Sequence, residues 1–172
     1  MTSGLLADAF GHHSWATLEL LDACSQLQEH QLAVGTPGVY GSILETLRHL
    51  VGADCSYLRV TAGGHDVVDE DAASVADLRR EMEAHQAAWT ELLTRDLDPD
   101  AWLVRHRPDG SETHATLGIR LAQALHHGTD HRSQVCTMLS NQGIEPPAID
   151  VWDYGMAHGR TRRTEPTAGP AV

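Results

Sequence analysis

The chain has 172 residues, a length that favours one domain with its own hydrophobic core. Its 24 Asp and Glu against 12 Lys and Arg give a formal net charge of −12, and all 12 cations are arginine. The absence of lysine excludes Schiff-base, P-loop and lysine general-base chemistry. The acidic balance argues against nucleic acid or an anionic membrane as a partner. Histidine, with 12 copies, is as numerous as the cations.

No stretch of the sequence carries a targeting or membrane-spanning signal. Apolar runs stay far below the roughly 20 residues that a membrane helix needs. The first residues lack the basic and apolar regions of a signal peptide, so we expect a cytoplasmic protein. The cysteines Cys24, Cys55 and Cys136 are odd in number and widely spaced. This predicts reduced, mostly buried thiols rather than disulfides or a cysteine-based zinc site.

Helical periodicity in four long stretches predicts an all-α protein, a four-helix bundle. The predicted helices cover about residues 5–30, 41–61, 74–94 and 115–142. Ser42 and Glu45 match the S-x-x-E capping box at the start of the second helix. Ser74, with Asp77 three residues later, opens the third helix, and Gly143 ends the fourth.

The connections between these helices carry less regular patterns. Residues 65–71 predict a polar, acidic surface loop. In the long crossover before the fourth helix, residues 102–110 are typical of a strand entering a Pro-Asp-Gly turn, so we expect a short hairpin there. Residues 146–154 predict an ordered extension packed on the bundle. We therefore assign one domain to residues 1–158 and expect a disordered tail over residues 159–172.

The fourth helix holds the densest group of histidines. His127 and His131 stand at i and i+4, so their rings lie on one face and can converge on one metal ion. At about 100° per residue, His131 falls within the apolar stripe that faces the core, and His127 lies at its margin. His126 and Asp130 point outwards. Two buried imidazoles need polar partners, which a shared metal would supply.

A metal site needs a third ligand, and periodicity alone does not choose it. The candidates in predicted helices are His12, His13, His49 and His85. His13 and His85 lie on apolar stripes, whereas His49 lies on a neighbouring stripe of small residues. Small residues leave room for a cavity if that helix is buried over a wide arc.

Two motifs carry a family resemblance. GSILETLRH (residues 41–49) and HGTDHRSQ (residues 127–134) together resemble the DinB-like/YfiT-like metalloenzymes, in their actinobacterial branch, over residues 8–155. The resemblance implies a four-helix bundle in which one histidine of the second helix and two of the fourth bind a divalent metal. Carried over by motif, these ligands are His49, His127 and His131. Zinc is the metal we favour, and nickel and iron suit the same donors.

The resemblance also implies homodimers and, in some members, transferase or isomerase activity with a low-molecular-weight thiol such as mycothiol. A metal held by three neutral imidazoles keeps its full charge and lowers the pKa of a bound thiol. We therefore expect a metal-dependent thiol S-transferase or isomerase acting on a small electrophile. A non-catalytic metal- or ligand-binding stress protein is the alternative. A metal-dependent hydrolase is a weaker one, because only Asp54 stands out as a carboxylate near the motifs.

Three further residues are candidates for lining the pocket, or for orienting a ligand histidine or a substrate carboxylate: His13, Gln134 and Arg132. For His13 the competing interpretation is a hydrogen-bonded residue between helices. For Arg132 it is a surface or interface residue. We expect the acidic loop to be solvated, since its spacing lacks the pattern of a calcium-binding EF-hand.

Overall fold

The computed structural model describes residues 3–64 and 67–164. Within these ranges the chain is mostly helical, with one two-stranded antiparallel sheet. The elements are α1 (Ser3–Cys24), α2 (Glu29–Leu32), α3 (Ile43–Thr61), α4 (Val75–Leu92), β1 (Trp102–His106), β2 (Glu112–Thr116), α5 (Leu117–Asn141) and α6 (Val151–Ala157). The long helices α1, α3, α4 and α5 form the predicted four-helix bundle, in which α1 packs mainly on α4 and α3 mainly on α5. No helix in the described ranges is long and apolar enough to cross a membrane.

The predicted helix starts are confirmed by their caps. The Ser42 side chain accepts a hydrogen bond from the Glu45 backbone N–H, and Glu45 bonds back to Ser42. Ser74 and Asp77 make the same reciprocal pair at the start of α4. At the end of α5, Gly143 adopts a φ of 72°, a left-handed conformation that favours glycine.

Two helix boundaries and the C-terminal extension differ from the prediction. The first helix ends at Cys24 rather than near residue 30, and the Ser25 hydroxyl there donates to the Asp22 carbonyl, a local bond that competes with helix continuation. The fourth begins at Leu117, because the two residues before it pair in the hairpin. The extension near the C-terminus contains a helix, α6, started by an Asp150–Asp153 capping box. Of the predicted tail, residues 159–164 are described and residues 165–172 lie outside the described residues.

The predicted hairpin is present and is tied to the start of α5. Strand β1 pairs antiparallel with β2. The buried Arg120 guanidinium donates to the Leu103 carbonyl at 3.0 Å and to the Thr113 carbonyl at 2.8 Å, one on each strand. A single side chain of α5 therefore holds both strands against the bundle.

The core consists of two apolar clusters separated by a polar layer. One cluster is built around Leu20, Leu47 and Met82, and the other around Phe10 and Trp89. On each long helix, most of the buried polar residues lie in sequence between members of the two clusters. These residues are His13, Ser14, Thr17, Asp54, His85, His131 and Arg132. We call His13, Asp54, His85 and Arg132 the polar layer.

Asp54 is the centre of this layer. Its carboxylate accepts from His13 Nε2 at 2.9 Å and from Trp89 Nε1 at 3.1 Å, and it forms an ion pair with His85 Nδ1 at 3.1 Å. Arg132 Nη1 lies 3.2 Å from His13 Nδ1. Because a guanidinium only donates, His13 Nδ1 must accept, and we assign its proton to Nε2, facing Asp54. The layer thus joins all four long helices.

Gly128 allows α1 and α5 to approach closely at this layer. A Cβ atom at Gly128 would lie 2.5 Å from His13 Cε1 and 2.8 Å from Arg132 Nη1. Both side chains are held by hydrogen bonds, so neither can move aside freely.

We expect Gly128→Ala to lower the free energy of unfolding by about 1–3 kcal/mol, because it overpacks this contact. Gly4→Ala on α1 is the matched control, since nothing lies within 4 Å of a Cβ at that position. It should leave the stability unchanged or raise it by up to about 1 kcal/mol through helix propensity. Urea unfolding followed by circular dichroism measures both. Equal stabilities for the two variants would contradict the close-packed contact.

The His85–Asp54 pair should make stability depend on pH. Burial lowers the pKa of His85, but its contacts with Asp54 and Cys55 outweigh burial and raise the pKa to about 9, above its ordinary value of 6.5. The stabilisation is therefore present in full below about pH 6.5 and lost as the pH rises through about 9. Urea unfolding of the wild type should show this fall in the free energy of unfolding as the pH rises. The same measurement on His85→Gln should not show it. His114→Gln, on the exposed hairpin, should keep the wild-type profile, and a wild-type profile for His85→Gln would contradict the pair.

Candidate metal centre

The structure brings three of the predicted histidines together between α3 and α5. One nitrogen from each of His49, His127 and His131 lies within 4.8 Å of the others, a spacing at which they could hold a metal ion. Nε2 of His49 is 3.2 Å from Nε2 of His127. The rings of His127 and His131 have their centroids 4.3 Å apart, as the i and i+4 spacing predicts.

Hydrogen bonds on the far side of two rings determine which nitrogen faces the cluster. His49 Nδ1 lies 3.3 Å from the Glu70 carboxylate, and His131 Nδ1 lies 3.1 Å from the Gln134 side-chain oxygen. Both oxygens accept, so we assign the proton to Nδ1 in each ring. Nε2 of each ring is then left with a free lone pair. Metal-binding histidines typically have such a second partner, which fixes the tautomer and raises basicity.

The electrostatics favour neutral imidazoles in this cluster. Burial and the neighbouring His131 and His49 lower the pKa of His127 to about 4. Burial also lowers the pKa of His131. A neutral ring is the form that binds a metal, so these two ligands need not lose a proton near pH 7.

Tyr40 covers one side of the cluster. Its ring stacks on His49 with centroids 4.1 Å apart and planes 9° apart. Its backbone N–H donates to the Gln134 side-chain oxygen at 3.2 Å, the same oxygen that accepts from His131. The loop before α3 therefore contacts His49 directly through the Tyr40 ring. Through the Tyr40 backbone it also holds Gln134, the hydrogen-bond partner of His131.

Glu70 and Tyr40 were not predicted as site residues. The acidic loop was expected to be solvated, and its described carboxylates, those of Asp69, Glu70 and Asp71, are exposed, but Glu70 also bonds His49. Gly52 makes this contact feasible, because a Cβ there would lie 2.3 Å from Glu70 Oε1. The stripe of small residues beside His49 was the one feature of the sequence that indicated room for a contact there. Residues 65 and 66 of the loop lie outside the described residues.

The remaining candidates fall into two groups. Gln134 lies against a ligand, as described above. His13 and Arg132 contact each other in the polar layer and make no hydrogen bond to the three histidines. The surface interpretation of Arg132 is wrong, because the residue is only 3% exposed. His126 and Asp130 are exposed, as the helical wheel predicts.

The donor set suits a first-row divalent metal. Three imidazole nitrogens without a carboxylate or thiolate are typical of catalytic zinc and also suit nickel and iron. They leave at least one coordination position for another ligand.

Comparison with known proteins agrees with this geometry. No curated protein matches the chain. The model of the DinB family matches residues 1–165, which include all three histidines of the cluster and the helices that carry them. Because this match spans nearly the whole sequence, the chain belongs to the DinB family.

Proposed function

We propose that this protein is a metal-dependent enzyme that uses a low-molecular-weight thiol, as an S-transferase or isomerase acting on a small electrophile. His49, His127 and His131 would hold the metal. The observation that carries the proposal is their convergence from two helices with no anionic ligand among them. A divalent ion in such a site lowers the pKa of a bound thiol and keeps the thiolate available as a nucleophile.

The other residues of the site orient and enclose it. Glu70 and Gln134 hold the rings of His49 and His131 through their Nδ1 protons. Tyr40 covers the His49 ring, and its backbone N–H keeps the Gln134 oxygen in place. Tyr57 contacts His127 edge-on, with ring centroids 5.9 Å apart. These contacts leave few ways for the ligand rings to rotate.

The protein's own cysteines support an external thiol. Cys24 and Cys55 are buried in the apolar core, and burial raises the pKa of Cys24 to about 12. Burial also raises the pKa of Cys136. None of the three belongs to the histidine cluster. The nucleophilic thiolate would therefore come from a cosubstrate such as mycothiol.

Zinc is the metal we favour, with nickel and iron as the alternatives that the same donors accept. The partners in this proposal are the thiol, the electrophile and a second copy of the chain in a homodimer. Nucleic acid has no place in it, since the net charge of −12 opposes binding to phosphates.

Metal-dependent hydrolysis is a second candidate, because three neutral imidazoles also lower the pKa of a metal-bound water. Glu70 does not supply a general base for it, since Glu70 accepts from His49 Nδ1 at 3.3 Å, on the side of the ring that faces away from the cluster. The sequence did not reveal such a group, and Asp54 does not fill the role because it is enclosed by His13, His85 and Trp89.

We expect purified protein loaded with Zn²⁺ and dialysed to retain a single ion per chain. His49→Ala, His127→Ala and His131→Ala should each lose it, because two imidazoles bind far more weakly than three. His126→Ala is the matched control, since that neighbour is exposed and outside the cluster. Plasma mass spectrometry measures the metal content. Retention of zinc by all three cluster variants would exclude the site.

Zinc-loaded protein should conjugate a bimane electrophile with mycothiol, bacillithiol or glutathione, in a reaction that His131→Ala abolishes. Glu70→Gln should retain most of this thiol-dependent turnover, because a glutamine oxygen still accepts from His49. Fluorescence of the bimane product follows the reaction. Zinc binding with no turnover for any thiol would favour the stress-protein alternative. Ester hydrolysis without thiol, abolished by His131→Ala, would favour the hydrolase.

A further inference from the structure

A cavity lies on the opposite side of α5 from the histidine cluster. It encloses about 660 Å³ between α1, α5 and the segment that leads into α6. Ala9, Leu125, Ile149 and Val151 contribute apolar walls. This volume lies within the range of small-molecule sites, roughly 300–1,000 Å³.

The helical wheel separates this cavity from the metal centre. At about 100° per residue, the α5 residues that line it cluster about 160° from the direction of His127 and His131. These residues are Leu125, Thr129, Arg132, Ser133 and Cys136. The ligand histidines face α3, whereas Arg132 faces α1. None of the three histidines lines the cavity.

Arg132 provides a buried cation at this cavity with no anion beside it. It is 3% exposed, and its guanidinium bonds only neutral groups. These are His13 Nδ1 and the His13 carbonyl, Thr17 Oγ1 and Thr129 Oγ1. Within the described ranges no carboxylate lies within 4.0 Å of the guanidinium nitrogens, and Nε has no hydrogen-bond partner. Asp54 is reached only through the His13 ring.

The two acidic residues on the cavity wall are already engaged. Asp8 pairs with Arg160 at 2.6 Å, and Asp150 accepts from the Asp153 backbone N–H at the start of α6. Neither neutralises Arg132. A guanidinium stays protonated in proteins, so Arg132 is a cation at this cavity.

A buried charge ordinarily has a counter-ion, because desolvation without one is costly. A guanidinium with free N–H groups matches a carboxylate, which accepts two parallel hydrogen bonds. The apolar walls next to it would cover the body of a ligand that carries such a group.

We propose that this cavity is a second ligand site, which binds a small molecule with a compact apolar body and a carboxylate directed at Arg132. The site is separate from the metal centre and does not depend on the proposed thiol chemistry.

The proposal is tested with 4-fluorophenylacetate as the probe, titrated into zinc-loaded protein and followed by ¹⁹F NMR. We expect saturable binding of the carboxylate, and about 10- to 100-fold weaker binding of the neutral 4-fluorophenylacetamide, as befits a charge-assisted hydrogen bond. Equal binding of the two probes, or no saturable binding of the carboxylate, would overturn the proposal.

Variants locate the bound probe. Arg132→Gln should weaken carboxylate binding about tenfold or more. Because this variant disturbs the polar layer, Ser133→Phe fills the cavity from its exposed rim and leaves Arg132 in place. Thr137→Phe, exposed on α5 outside the cavity lining, is its matched control. Loss of binding in Ser133→Phe with wild-type binding in Thr137→Phe supports the site, and wild-type binding in both overturns it.

A carboxylate can also bind a metal, so the titration is repeated with His49→Ala. Retained binding in His49→Ala supports the cavity. Loss of binding in His49→Ala would place the probe at the metal centre and overturn the proposal. Neither outcome bears on thiol turnover, which the bimane experiment measures separately.

Discussion

A carboxylate in a protein interior needs a complete set of partners, and the Asp54 carboxylate obtains them from the other long helices. His13 of α1 and Trp89 of α4 donate to it, His85 of α4 pairs with it, and Arg132 of α5 reaches it through the His13 ring. Losing one partner of such a buried pair costs about 3–5 kcal/mol. A slide of any helix along its axis would have that effect. The polar layer thus sets the axial register of the four helices. The apolar clusters alone would tolerate several registers.

The position of α5 links this layer to the metal centre. Arg132 faces α1, and its neighbour His131, about 100° around the helix, faces α3. The bond between Arg132 and His13 therefore also determines where the rings of His127 and His131 meet His49. Gly128 makes the arrangement possible, since any side chain there would meet the His13 ring. The three histidines therefore owe part of their relative position to residues that do not touch them.

The parts of this structure that depend on local rules could be predicted from the sequence. Capping boxes, the Pro-Asp-Gly turn and the apolar stripe of α5 located the helices, the hairpin and the inward face of His131. His49 needed a family resemblance, because its helical face is not the most apolar one. Glu70 could not be found, since its contact with His49 depends on the path of a loop without periodicity. The partnership of His13, His85 and Arg132 around Asp54 was equally hidden, because it joins residues far apart in the chain.

The surface and the interior of this protein carry opposite charge. The chain as a whole has a formal net charge of −12, whereas the polar layer contains the cations of Arg132 and His85 against the single carboxylate of Asp54. A small anion would be repelled as it approaches and attracted only once it is inside. Dissolved salt screens the exposed charges far more than the buried ones. Ionic strength would therefore speed the entry of an anionic ligand while leaving its bound state almost unaltered, the reverse of electrostatic steering.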